Sequence, residues 1–562
     1  MPVKKRKAVF LFLIPLFFIS AYPSQPAGQS LENDLASQID SLLANVYKAN
    51  EPGAAVLVKK QGKVIFRKGY GLADMELGVP IKPDMTFRLG SITKQFTSVA
   101  ILMLAEQGKL SLQDDILKFL PDYPTQGKTI TVEHLLTHTS GIQSYTDLPE
   151  WLPLIRKDMS LKELIDLFKN KSMQFSPGDR WKYNNSGYIL LGAIIEKVSG
   201  ESYEAFLQNH IFEPLGMKHS CYGSASRIIL RRIPGYVKGK TGFENAPYLS
   251  MTQPYAAGSL LSSVDDLAIW NEALLVGKLI RRDTLEKAFT SYKLNDGSDS
   301  RYGYGWFISD YEGHRIIEHG GGIPGFTTYA LTLPEDQIFV ALLTNSAIEG
   351  RAPEPLVFRI TALMLGRPYK EPVAITLPEK TIAPLLGVYI NDQIEERYIS
   401  REGTQIFSRR AGGSKNEIFP ASETLFFSKD SFARIQFEKN TKGEVTGLQV
   451  INRIGPIETY AKTAKPLPLE RKAITLDPAI YDQYAGEYEL SPGFSIFVTR
   501  ENNTLMTQAT GQQKFEVFPE SETQFFLKVV DAQIEFIKDS SGIVTGLVLY
   551  QGGQKLPAKK IK

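Results

Sequence analysis

The chain has 562 residues, 64 Lys and Arg against 61 Asp and Glu, and 43% hydrophobic residues. That apolar content with balanced charge excludes an intrinsically disordered chain, and there is no positive surplus for a nucleic-acid binder that neutralises phosphates. The length calls for two to four domains, and the one cysteine, Cys221, excludes an intrachain disulfide or a cysteine-built metal site.

Residues 4–7 are basic (KKRK) and residues 8–19 read AVFLFLIPLFFI. Twelve apolar residues are too few to cross a hydrocarbon core of about 30 Å as a helix, but they suit the core of a signal peptide. Residues 1–25 are therefore expected to be a signal peptide, with a short membrane anchor as the competing reading. The mature chain is expected to be exported, periplasmic or secreted, with no stable membrane span. No A-x-A triplet marks the cleavage point. The leader holds four of the basic residues, leaving 60 against 61 acidic ones.

Residues 33–49 carry Leu35, Ile39, Leu42, Leu43 and Val46 at helical spacing. A hairpin follows, AAVLVKK and KVIFRKGYG around Gln61-Gly62. Helical segments broken by Pro and Gly fill 91–290. Strand-like runs at 315–319, 326–333 and 338–345 precede a helix at about 354–365. Strands at both ends of a helix-rich middle predict an α+β domain over 30–368, its antiparallel sheet completed by both termini.

Beyond Gly366 an internal repeat appears. AITL at 374–377 recurs at 473–476, Gly387 and Tyr389 recur as Gly486 and Tyr488, and Val445-Thr446-Gly447-Leu448 recurs as Val544-Thr545-Gly546-Leu547, all offset by 99 residues. Each copy, 374–465 and 473–562, has room for about eight short strands and is expected to form a small antiparallel β-barrel. A solenoid would need more units.

The chemistry-bearing motifs lie in the first domain. GSITKQFTSVAILMLAEQG reads as a helix starting at Ser91, with Lys94 one turn on and on the same face. A serine hydroxyl needs a base, and a lysine whose pKa is lowered by its surroundings can act as one. The helix N-terminus adds free N–H groups where negative charge would develop. Tyr183 and Asn185, two residues apart before another helix, can converge on the same pocket. A second Y-x-N, at Tyr389 and Asn391, falls inside the repeat and is discounted. Two triplets compete for a third motif: K-T-G at Lys240, in a loop context, and H-G-G-G at His319, ending a strand-like run. His319 is preferred, because Gly321 and Gly322 on a strand edge allow close approach to the backbone and a free N–H.

S-x-x-K, Y-x-N and H-x-G in this order, with LLTHTSG at 135–141 and LSLQDD at 110–115, resemble the serine β-lactamase and penicillin-binding protein superfamily, nearest its class C-like esterase and D-aminopeptidase branch. The resemblance covers about residues 33–365. It implies that Ser91 is acylated, that Lys94 and Tyr183 share base and acid duties, that Asn185 binds substrate, and that the oxyanion donors are the N–H groups of Ser91 and Gly322. His319 replaces the usual lysine; being shorter and mostly neutral, it points from β-lactamase activity toward ester or D-aminopeptide hydrolysis. The expectation is a cofactor-free serine hydrolase acting on a small ester, peptide or lactam, with no metal and no nucleic-acid partner. Its oligomeric state is not legible. The double β module also resembles that of D-aminopeptidases, which suggests that the second repeat shapes access to the site.

Other features read as structural. His134 and His138 have metal-ligand spacing on an expected helix but lack an accompanying glutamate. Asp265 and Asp266 read as helix-start residues. Tyr302 to Trp306 (YGYGW) reads equally as a pocket wall or as a strand with core aromatics. Cys221 reads as a neutral thiol.

Overall fold

A computed structural model describes residue 1 and residues 27–562, except 240, 349–350, 393, 430, 469–470, 492–493, 511–513 and 552–553. The expected leader, beyond Met1, and Lys240 of the K-T-G triplet thus lie outside the described residues.

Helix α1 (Ala27–Val46) leads into strands β1 (Ala54–Lys60) and β2 (Lys63–Tyr70). Their turn places Gln61 and Gly62 at φ of 50° and 77°, the left-handed pair that matches strand twist. The helix-rich middle contains α2 (Thr93–Glu106) and α3 (Asn185–Ser199). Strands β3 (Phe307–Tyr311), β4 (His314–Ile323), β5 (Phe326–Leu333) and β6 (Ile338–Thr344) follow, and then α4 (Pro353–Met364).

The six strands form one antiparallel sheet ordered β3-β4-β5-β6-β1-β2, so the N-terminal hairpin closes onto the last strand. Strand periodicity explains the layering. Ala54, Val56 and Val58 of β1 pack with Ile39 and Leu43 of α1 and Leu356 of α4, while Ala55 and Leu57 join the opposite core with Phe96 of α2 and Ile194 of α3. Helix α2 is buried nearly all round rather than on one stripe, Lys94 included.

Two differences from the sequence reading bear on the site. The run at 315–319 continues through three glycines to Ile323. YGYGW is not a strand; it is an irregular segment leading into β3.

Eight strands between Gly387 and Lys462 close into one antiparallel barrel, and eight between Gly486 and Lys560 close into another. Their interiors repeat the 99-residue register: Tyr389, Phe426 and Phe437 in the first correspond to Tyr488, Phe525 and Phe536 in the second. The Tyr389 hydroxyl donates to Leu385 O at 2.7 Å and that of Tyr488 to Tyr484 O at 2.8 Å, so this Y-x-N tyrosine is a barrel-core residue.

Candidate active site

Ser91 does not begin the α-helix itself. It belongs to a 3-10 turn, Gly90–Ile92, that runs into α2. Gly90 is required there: its φ is 56°, and a Cβ would lie 2.9 Å from Gly322 N. The turn therefore abuts β4. Strand β3 pairs with β4 only as far as Glu318, which leaves residues 319–323 free along that edge. The Pro324-Gly325 turn makes Ile323 and Phe326 a hydrogen-bonded pair, so by alternation the Gly322 N–H points away from β5, on the side where Gly90 approaches. Gly322 is exposed and a Cβ there meets nothing within 4 Å, whereas one on Gly321 would clash with the Leu89 carbonyl. The two glycines thus differ: Gly321 permits the backbone packing, and Gly322 presents an accessible N–H.

Lys94 is fully buried one turn along. Its Nζ lies 3.1 Å from Ser91 Oγ, 2.8 Å from Asn185 Oδ1 and 2.9 Å from the Ala257 carbonyl. Burial lowers its pKa well below the ordinary lysine value. A neutral amine has two N–H donors and one lone pair. Asn185 and Ala257 offer oxygens that can only accept, so they take both donors, and the lone pair is left facing the serine hydroxyl.

Asn185 is the first residue of α3 rather than a loop residue. Its Nδ2 donates to Thr146 Oγ1 at 3.0 Å, which fixes the amide orientation and turns Oδ1 toward Lys94. Asn184 caps α3 through Gly187 N–H at 2.8 Å. The Tyr183 ring lies 4.7 Å from Lys94 Nζ. Its hydroxyl is buried with no hydrogen-bond partner among the described residues. Burial raises the phenol pKa, so the phenol stays protonated.

His319 is buried where the sequence placed it, at the end of the β3-paired stretch. Its Nδ1 lies 2.6 Å from Gly320 O, which can only accept, so Nδ1 carries the proton and Nε2 accepts from the Tyr302 hydroxyl at 3.0 Å. Burial and the nearby Lys94 hold its pKa down to about 3, so the ring is neutral. Ser91, Lys94, Tyr183, Asn185, His319, Gly321 and Gly322 are thus brought together.

Sequence reasoning missed Tyr302 as a partner of His319, the Ala257 carbonyl, Thr146 and the role of His138. His138 does not continue the helix of His134; it sits beyond its end at φ 62°. Its Nδ1 accepts from Asn184 N–H at 3.1 Å, and its ring lies 4.4 Å from that of Tyr183 and 4.6 Å from that of Tyr302. His134 instead caps its own helix with Thr131. The signals were present, in LLTHTSG and YGYGW, but nothing in either string says that they meet.

The remaining features have structural roles. Ser263 caps the helix Val264–Leu275, where Asp265 pairs with Arg67 and Asp266 accepts from Ser220. Burial raises the Cys221 pKa, keeping it a thiol.

Comparison with known proteins places this geometry among relatives. The Beta-lactamase family profile matches residues 35–360, and a domain family of unknown function, DUF3471, matches residues 470–560, the second barrel. Penicillin-binding protein 4* of Bacillus subtilis (strain 168) is 25% identical over 550 residues, 95% of this chain and all of that protein. Protein flp of Staphylococcus aureus (strain N315) is 30% identical over 56% of this chain and 64% of its own length. The octameric penicillin-binding protein homologue from Pyrococcus abyssi superimposes with a TM-score of 0.54 at 29% identity, covering 76% of this chain and 99% of that one. D-amino acid amidase from Ochrobactrum anthropi SV3, at 24% identity and a TM-score of 0.53 over 60% of this chain and 99% of that one, shares the fold.

Proposed function

From the premise that this chain belongs to the β-lactamase family of serine hydrolases, we propose that it is an exported hydrolase that forms an acyl-enzyme on Ser91 with small esters or peptides containing D-amino acids. The observation that carries the reading is the buried Lys94 amine 3.1 Å from Ser91 Oγ, with its other two contacts on obligate acceptors.

In this reading Ser91 attacks the substrate carbonyl as Lys94 takes its proton. The tetrahedral oxyanion is held by the N–H groups of Ser91 and Gly322. Tyr183, protonated, gives its proton to the leaving group and is reprotonated from Lys94. Water then attacks the acyl-enzyme along the same path in reverse, releasing the acid. Lys94 and Tyr183 divide base and acid because burial pushes their pKa values in opposite directions. Asn185 orients Lys94 and presents its amide edge to substrate.

Export rests on the basic start and twelve-residue apolar run of the leader; N-terminal sequencing of protein recovered outside the cytoplasm tests it. Among the described residues no helix is long and apolar enough to cross a membrane.

Intact-mass detection of an adduct after incubation with esters, D-alanyl amides and lactams tests the chemistry. Ser91→Ala should abolish both adduct and turnover; full hydrolysis by that variant would sink the reading. A D-Ala-D-Ala carboxypeptidase or β-lactamase is the second reading, favoured by the full-length likeness to penicillin-binding protein 4*. Neutral His319 weighs against it, as it brings no charge to a substrate carboxylate; rapid nitrocefin turnover or stable penicillin labelling would support it. A non-catalytic sensor of lactams or peptidoglycan fragments would leave the buried Lys94 without a task, and failure of a fluorophosphonate probe to label Ser91 would revive it.

A further inference from the structure

A loop of the first barrel lies against the neighbourhood of His319. Residues 452–455 join the last two strands of that barrel and enter the α+β domain. Arg453 Nη1 lies 2.7 and 2.8 Å from the two oxygens of Glu318. Its Nη2 reaches the Tyr329 hydroxyl at 2.7 Å and Glu354 at 2.8 Å. The Glu318 side chain is 0% exposed and that of Arg453 7%. Arg301 in turn holds the loop backbone, donating to the carbonyls of Asn452 at 3.2 Å, Arg453 at 2.8 Å and Gly455 at 3.1 Å.

The two residues that grip the loop are the chain neighbours of the two that form the His319–Tyr302 hydrogen bond: Glu318 precedes His319, and Arg301 precedes Tyr302. Arg301 also sits at φ 52°, a conformation that a side-chain-bearing residue holds only when its surroundings impose it. Residues 318 and 319 point to opposite faces of β4, so Arg453 grips the strand from behind the site and does not meet substrate.

The second repeat lacks these parts. Ninety-nine residues on from Phe432, Arg434 and Arg453 stand Asp531, Gln533 and Gly552. In the first copy Phe432 packs on Phe358 and Tyr369, and Arg434 donates to the Tyr369 hydroxyl at 3.1 Å. The docking residues belong to one copy of an otherwise repeated module.

We infer that Arg453 of the first barrel is a positioning residue: by neutralising buried Glu318 it holds β4 in the register that sets the His319–Tyr302 bond and the Gly322 edge beside Ser91. This rests on the serine-hydrolase reading above. Without Arg453, Glu318 is a buried carboxylate facing only hydroxyl donors, and it moves toward water, taking β4 with it.

The test uses the full chain as R453M, E318Q and the R453M/E318Q double variant. Two readouts are taken: the rate at which a fluorophosphonate probe labels Ser91, and the His319 ring signal in protein labelled with 15N-histidine, where only six histidines contribute. R453M should shift the His319 signal and slow labelling by about a hundredfold, the scale of a displacement near 1 Å. The double variant, which removes the unpaired charge, should recover most of both. An unmoved His319 signal in folded R453M overturns the inference, as does a double variant no better than R453M. If R453M does not fold, R453Q takes its place: it removes the charge that neutralises Glu318 while keeping a polar side chain, and an unmoved signal there is equally fatal. A wild-type chain that fails to label counts against the serine-hydrolase reading, whereas the His319 signal judges the positioning role by itself.

Discussion

Lys94 Nζ stands 3.1 Å from Ser91 Oγ at a position where the lysine side chain has no exposed surface. Local spacing alone puts the two on one helical face. The lowered lysine pKa comes from elsewhere, from the packing of α3 and the Ala257 segment around the amine. A solvated lysine at the same spacing would be charged and would have no lone pair for the serine.

That arrangement makes stability depend on pH in a specific direction. The unfolded chain protonates Lys94 below its ordinary pKa near 10.5, whereas burial moves that protonation to lower pH in the native state, so between the two pKa values the unfolded state binds more protons. Wild type should therefore lose stability relative to Lys94→Met as pH falls from 10, by up to about 1.4 kcal/mol per pH unit until the native pKa is reached. Urea unfolding of both proteins at pH 7, 8 and 9 measures this; parallel pH dependences would contradict a neutral native lysine.

His319 should behave similarly at lower pH. Its native pKa of about 3 lies below the ordinary value of 6.5, so the native state forgoes a proton that the unfolded chain takes up. Its contribution to stability is intact above pH 6.5 and falls away as pH drops toward 3, by up to about 1.4 kcal/mol per unit. A chain carrying His319→Asn should lack that component of acid destabilisation. The acid limb of kcat/KM between pH 5 and 8 should not move with this substitution, since the ring is neutral throughout; a limb that moves would show His319 titrating in that range.

Tyr302→Phe removes the donor to His319 Nε2 and leaves the ring packing in place. The expected loss is about tenfold in kcat/KM, equivalent to roughly 1.4 kcal/mol, with little change in Tm. Steady-state kinetics with a p-nitrophenyl ester and a thermal melt separate this from a purely structural role, in which Tm would fall and kcat/KM would not.

Gly321→Ala and Gly322→Ala should part company. The first drives a methyl group into the Leu89 carbonyl and Thr328 and should destabilise by roughly 3 kcal/mol, the upper end of overpacking. The second meets nothing, so Tm should hold, while the new methyl beside the exposed N–H should raise KM or slow acylation. Equal stability losses in the two variants would show that the edge at Gly322 is packed rather than open.

Much of this molecule was legible from the residues in order. The 99-residue repeat predicted two barrels, and Tyr389 with Tyr488 and Phe426 with Phe525 occupy matching core positions because the same local pattern folds the same way twice. The strands at both ends of the first domain predicted its sheet. Ser91 with Lys94, and Tyr183 with Asn185, were readable because helical and extended spacing act over a few residues. Other relationships link residues far apart in the chain: Asn185 to Lys94, Tyr302 to His319, His138 to the site tyrosines, and Arg453 to Glu318. Those depend on strand register, on where a helix ends and on how one domain docks against another, and each is set by burial summed over many side chains. Spacing in the sequence named the candidate groups; only packing in three dimensions lowered the lysine pKa, gave the histidine its partner and brought a barrel residue behind the strand that carries it.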